Sequence, residues 1–392
     1  MKKIIIVFAI ALAFVATSAQ AKGTAASGKE KSSSGGLELS GHVMTGMSFD
    51  RYNNKPNTYL PFDGDNFYFP GVGGKYIGKA PHTPTAKSNH FGFWVDGVEL
   101  DLVKSFGENV RIRADIDFAR AVSTGLLNGG TVLEQAYATA NIPIGNGVEF
   151  LLGRFNTPIG FEAVDVIDND TISKSALGTG LRPVNSTGMK IYYAFSDLVD
   201  MHFYVVNSIT GDTNRRLNNL PGFGARLGFN WGNEGNESTF GVSPFFGSEA
   251  NAVSGSNRHF TFGGDADLNW WLTQSFALGA EVLFRRSNDL AAVANVNYMA
   301  GLLNLHYVFS DVWDGTFKYA FSKAFKANAN PSGSGALTGA QQSTHQVSLA
   351  GGYAIADGVK LKLEGRFDII NPVGPANTEY VYGGAMAFAY NF

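Results

Sequence analysis

The stretch "RIRADIDFAR", residues 111–120, decides the fold. Ile112, Ala114, Ile116 and Phe118 alternate with Arg111, Arg113, Asp115 and Asp117. A period of two marks a β-strand with one apolar and one polar face. In a water-soluble sheet the apolar face packs on a core and the charges meet solvent. In a membrane barrel the apolar face meets lipid and the charges line a wet lumen. The rest of the chain has to choose between the two.

The opening, "MKKIIIVFAIALAFVATSAQAKG", carries Lys2 and Lys3 ahead of an apolar run from Ile4 to Ala16. That run is too short to span a bilayer, and Ala19-Gln20-Ala21 supplies a small-residue cleavage site. Residues 1–21 therefore read as a cleaved secretory signal, and the small, polar residues 22–36 as a flexible periplasmic linker. The chain has no cysteine, so disulfides and thiolate metal sites are excluded. A closed hydrogen-bonded sheet is another way to stabilise a large exported protein. Without Lys2 and Lys3, 28 basic residues face 33 acidic ones, a net charge of −5 that speaks against nucleic acid as a partner. No later segment is apolar for the roughly 18 residues of a membrane helix, so a membrane location would require a closed barrel.

From Leu37 onward the alternation returns almost to the last residue, in about sixteen strands near the ~9–11 residues of a bilayer-spanning β segment. The second strand changes phase near Gly97, as a bulge would make it do. Short turns such as "SFGEN" (105–109), "PIGNG" (143–147) and "ADG" (356–358) alternate with long loops rich in Gly, Asn and Ser. Trp94, Tyr193, Trp231, Trp270, Trp313, Tyr353, Tyr380 and Tyr390 fall mostly towards strand ends, where two aromatic girdles would put them. The chain ends on Phe392, in phase with the apolar face of its last strand, which resembles the signal that outer-membrane barrels present to their assembly machinery. Residues 37–392 thus read as an all-β, antiparallel, up-and-down transmembrane barrel, with short periplasmic turns and long extracellular loops. A soluble sandwich, β-helix or propeller explains the alternation equally well, but explains less well the even strand count, the alternating loop lengths and the final Phe.

In such a barrel the polar phase lines the lumen. It comprises Arg111, Arg113, Asp115 and Asp117, then Lys190, Arg226, Asp265, Asp267, Glu281 and Arg285. The penultimate strand, "VKLKLEGRFDI", adds Lys360, Lys362, Glu364, Arg366 and Asp368. Sixteen strands make a barrel wide enough for an aqueous channel, in which rings of charge bias what passes. Each single charge can equally stiffen the wall by pairing with a neighbour. The third long loop, 156–186, carries Glu162, Asp165, Asp168, Asp170, Lys174 and Arg182.

The segments "LLGRFNTPIGFE" (151–162), "DNDTISKS" (168–175), "STGMKIYY" (186–193) and "VVNSITGDTN" (205–214) resemble the OmpL-like β-barrel porin family. The resemblance implies a passive outer-membrane pore for small solutes. In general porins the third loop folds inward and narrows the pore. Its acidic residues would then face basic wall residues, here Arg111, Arg113, Arg226 and Arg366. A homotrimer is the assembly usual for general porins.

Other functions leave weaker traces. None of the seven histidines lies in a nucleophile elbow or an H-E-x-x-H motif, so no enzyme is expected. No cofactor or metal is called for: "DADLNW" (265–270) lacks the glycine of a calcium loop, and "DGDN" (63–66) and "DND" (168–170) read as solvated acids. The serious alternative is a structural or adhesive outer-membrane barrel acting through its loops. The first loop favours it, with Tyr59, Phe62, Phe67, Tyr68 and Phe69 close together.

Overall fold

A backbone that crosses hydrocarbon finds no water for its N–H and C=O groups, so each strand must be paired on both edges until the sheet closes. The computed structural model has this form. It describes residues 36–52, 89–118, 133–175, 177–209, 220–250, 258–289, 294–328, 342–371 and 378–392. Sixteen strands follow in order: β1 (Leu37–Tyr52), β2 (Asn89–Phe106), β3 (Val110–Asp117), β4 (Leu133–Ile142), β5 (Val148–Asn156), β6 (Asn185–Ala194), β7 (Val199–Val206) and β8 (Gly222–Trp231). The second half comprises β9 (Ser238–Ala250), β10 (Arg258–Trp271), β11 (Phe276–Asp289), β12 (Ala294–Val308), β13 (Trp313–Asn328), β14 (Gln342–Ala356), β15 (Val359–Asn371) and β16 (Glu379–Asn391). Every strand pairs antiparallel with its sequence neighbours, and β1 closes on β16 from His42↔Asn391 to Tyr52↔Val381.

The two faces answer the question posed by residues 111–120. Ile112 points outward, while Asp115, from the opposite phase, is almost wholly buried. The same inversion runs round the barrel. On β14, Leu349 is 64% exposed and its neighbour Ser348 fully buried; on β15, Phe367 is exposed beside fully buried Asp368. A soluble sheet would bury the Leu and Phe and expose the Asp. Only an apolar solvent outside accounts for the arrangement.

The phase change near Gly97 is a bulge: Met44 faces Gly97 and Thr45 faces Val95, leaving Asp96 as the extra residue of β2. The strands run from 8 to 18 residues, longer at the upper end than a membrane crossing needs. Their pairing continues past the short turns' opposite rim, because hydrogen bonding has no reason to stop where the lipid does. Trp94 is a correction. It lies in the inward phase between exposed Phe93 and Val95 and packs with Met44 and Ile167 inside the barrel, so it belongs to no girdle. Trp231, Trp270, Trp313, Tyr380 and Tyr390 do face outward. The leader 1–21, residues 22–35 of the linker and the aromatic cluster of the first loop lie outside the described residues.

An outward site near mid-strand tests the orientation. Leu349→Arg is expected to cost about 2–4 kcal/mol in bilayer unfolding titrations, whereas Ile144→Arg, in a turn at the barrel end, costs about 1 kcal/mol or less. Equal costs at both sites would contradict the placement of the lipid face.

Candidate functional site

The connection from β5 to β6, residues 157–184, is seated inside the barrel. Its neck is closed by Thr157, whose N–H donates to the Val184 carbonyl (2.7 Å) and whose hydroxyl donates to that of Pro183 (2.6 Å). Two glycines make the entry possible. Gly153 has φ +143°, and a Cβ there would strike the Ala136 carbonyl; Gly160 has φ +89° and lies directly against the Arg182 guanidinium. These are the glycines of "GRFNTPIGFE", so that motif specifies the root of the loop.

Charged side chains of β11, β13 and β15 hold the loop. On β11, Glu281 accepts the Phe161 N–H (2.7 Å) and pairs with Arg182 (3.1 Å). On β13, Lys318 donates to Glu162 (2.9 Å), to the Thr171 hydroxyl (2.6 Å) and to the Ser173 carbonyl. On β15, Glu364 accepts the Ile172 and Ser173 N–H groups (2.6 and 2.8 Å) and the Ser173 hydroxyl (2.6 Å). Two residues away on the same face of that strand, Lys362 donates to the carbonyls of Ile167 and Asn169 (2.7 and 2.5 Å). Apolar residues seal the contact: Leu177 and Leu181 pack on Leu283, Leu302 and Ile370, and Ile167 and Ile172 on Met44 and Ala387. The loop is therefore held chiefly by β11–β16, while Val166–Asp168 also lies against β2 and Ile159 reaches the apolar cluster of β5–β9 on the opposite side.

A cavity of about 410 Å³ opens on that side, lined by Pro158, Ile159, Glu162, Asp165 and Arg182 of the loop and by Arg226 of β8. Arg226 is held by Asp267 of β10 (2.8 Å). Behind it an apolar cluster of Leu151, Phe155, Ile159, Tyr204 and Phe245 fills the wall between β5 and β9. Burial alone would raise the Glu162 carboxyl, but Lys318, Ser175 and Arg182 outweigh it and hold the group below its ordinary range. Asp165 goes the other way, pushed up to about 8 by burial and by the carboxylate of Glu134, against the pull of Lys174.

The expected wall residues separate into those that meet the loop and those that do not. Glu281, Lys362 and Glu364 hold it directly, Arg285 donates to the Leu181 carbonyl (2.9 Å), and Arg366 to that of Lys174 (3.2 Å). Arg366 also pairs with Asp368 (2.9 Å), whereas Arg113 pairs with Asp115 (2.7 Å), Lys360 with Asp314 (2.6 Å), and Lys190 sits over the Phe155 ring. Asp265 is buried without a hydrogen-bond partner for either oxygen among the described residues. Arg111 and Asp117 share the inward phase of β3 with Asp115.

Of the basic residues expected to face the loop acids, Arg226 lines one cavity with Glu162, Asp165 and Asp168; the direct partners of the acids lie elsewhere. Glu162 takes Lys318, and Asp170 takes Asn304 (2.7 Å) with His306 close by (3.5 Å), while Asp168 is exposed. Arg113 and Arg366 are taken by carboxylates on their own strands, which lie two residues away on the same face and need no loop to reach them. Lys318, Asn304 and Glu134 were missed in the sequence. Lys318 had a signal: it sits in the polar phase of "TFKYAFS" with Thr316 and Ser322.

Lys318→Met would leave the Glu162 carboxylate buried beside the loop without its main partner. A loss of about 3–5 kcal/mol in unfolding free energy is expected. The double variant Lys318→Met/Glu162→Gln should recover a substantial part of it. No recovery would show that the pair does not act as a unit.

The model of the OmpL-like family "beta-barrel porin-2" matches residues 36–392. No curated protein sequence matches the chain. Among solved structures, the outer-membrane channel DcaP of Acinetobacter baumannii is similar with a TM-score of 0.61 at 14% identity, covering 91% of this chain and 97% of that one. An anion-selective porin from Comamonas acidovorans follows with 0.56 at 11%, covering 91% and 100%. The trimer form of Vibrio cholerae OmpT gives 0.54 at 11%, covering 91% and 99%. At such identities these likenesses concern the fold, whereas the family match spans the whole barrel: the chain belongs to the OmpL-like β-barrel porin-2 family of the bacterial outer membrane.

Proposed function

We propose that the barrel is a water-filled channel for passive diffusion of ions and small hydrophilic solutes, narrowed by the loop 157–184. The observation that carries this reading is the cavity left between that loop and Arg226 of the wall. The loop is fixed to β11–β16 by Lys318, Glu364 and Glu281, and the cavity lies beside Arg226 on its other side. Inward charges on both flanks favour polar cargo over apolar cargo. The Arg111, Arg113 and Lys190 side of the wall, with the loop's Asp165 and Asp168, then acts on the passing solute, while Lys362, Glu364, Arg366 and Asp368 serve to hold the loop.

The same reading includes export by a leader cleaved after Ala21, assembly through the terminal Phe392, contact with outer-membrane lipids, and a homotrimer. Phe392 exchanges backbone hydrogen bonds with Gly41 (3.0 and 3.1 Å) at the seam, which suits a recognition signal read as the barrel closes. Cross-linking of the protein in membranes tests the trimer.

Single-channel recording in a planar bilayer under a salt gradient tests the pore. Ohmic steps are expected, and Arg226→Gln should shift the reversal potential towards cation preference by leaving Asp267 unneutralised. Silence from folded protein would overturn the channel reading and return attention to the extracellular loops.

A further inference from the structure

Acidic side chains of β2, β3 and β4 gather near the loop. Glu99 of β2 stands at the centre of two groups. Its carboxylate lies with those of Asp101 and Asp115 in one and with those of Glu134 and Asp165 in the other, the ligand oxygens of each group within 4.8 Å of one another. The first group is already neutralised in part, since Arg113 reaches Asp115 at 2.7 Å and Asp101 at 3.6 Å.

The second group differs. Glu99 is only 5% exposed, and its Oε2 is shut off from solvent with no hydrogen-bond donor among the described residues. The basic group near its other oxygen is His42, at 4.0 Å. A buried carboxylate oxygen with no donor is costly, and the cost rises when two more carboxylates point at the same spot. A cation between them removes both penalties at once. Oxygens that share a calcium ion bound at about 2.4 Å lie no more than about 4.8 Å apart, and these three fall within that limit. The donors are all carboxylate oxygens, which selects a hard divalent ion over zinc or copper.

We infer that Glu99, Glu134 and Asp165 form a divalent-cation site, of calcium type, that ties the inserted loop to β2 and β4. Glu99 and Glu134 come from the wall, and Asp165 from the loop, immediately before its 3-10 turn Val166–Asp168. With the ion bound, the loop is held on both flanks, and the acidic side of the passage loses its excess negative charge. The site goes beyond the channel reading and does not depend on it, because a cation could bridge loop and wall in a barrel that conducts nothing.

The test uses the full mature protein refolded in detergent, stripped with EGTA and titrated with calcium chloride by calorimetry, with thermal unfolding followed in parallel. Saturable binding of one ion per chain and a rise in Tm are expected. Glu134→Gln and Asp165→Asn, which keep shape and relieve repulsion, should each weaken binding by about tenfold or more, as loss of a charged ligand does. Asp311→Asn, in an exposed turn between β12 and β13, should leave it unchanged. Absence of saturable binding to folded wild-type protein would overturn the site. So would undiminished binding in both ligand variants, which would place the ion elsewhere. If one variant fails to fold, the other, on a separate element, still decides.

Discussion

Everything in this molecule depends on the hydrogen-bonded seam between β1 and β16. In hydrocarbon an unpaired strand edge is prohibitive, so sixteen strands that pair only with neighbours must still join the first to the last. Closure fixes which face of every strand is inside, and so turns an alternation of residue types into a polar lumen and an apolar exterior. It also sets the width, and a barrel this wide cannot be filled by its own side chains. The loop from β5 to β6 has somewhere to go only because of that width.

The interior then follows its own economy of charge. Salt bridges on a protein surface contribute little, but inside the barrel each charge that meets the loop is buried and stripped of most of its water. Lys318, Glu364 and Glu281 each gather two or three partners, half of them backbone groups of a segment that belongs to no strand. The loop's N–H and C=O groups, which no ladder satisfies, find their partners in the wall's charges. The wall's charges find their partners in the loop. Neither could be buried alone.

The fold was legible in residues 111–120 and in the recurrence of their pattern, because strand periodicity and loop length are local properties. Even the bulge of β2 could be seen, since an extra residue shifts the phase of everything after it. The occupants of the lumen were legible only as a list. Which of them meet was not, because Glu162 and Lys318 are joined through a loop path and a barrel curvature that no spacing encodes. Trp94 was misplaced because position along a strand was taken as a guide when phase should have decided. Glu134 escaped because its strand, "LEQAYATANI", alternates small residues too weakly to mark a face.

The contacts of Glu364 with Ile172 and Ser173 join positions about 190 residues apart in the chain. The loop belongs to the first half of the sequence, yet Lys318, Lys362 and Glu364 all arrive in the last quarter. It can be seated only when β13 and β15 stand in the barrel together with β5 and β6. Contacts of such long range are slow to form. Seating of the loop is thus coupled to the joining of distant parts of the barrel, and a chain without β13 and β15 would lack the partners that seat it.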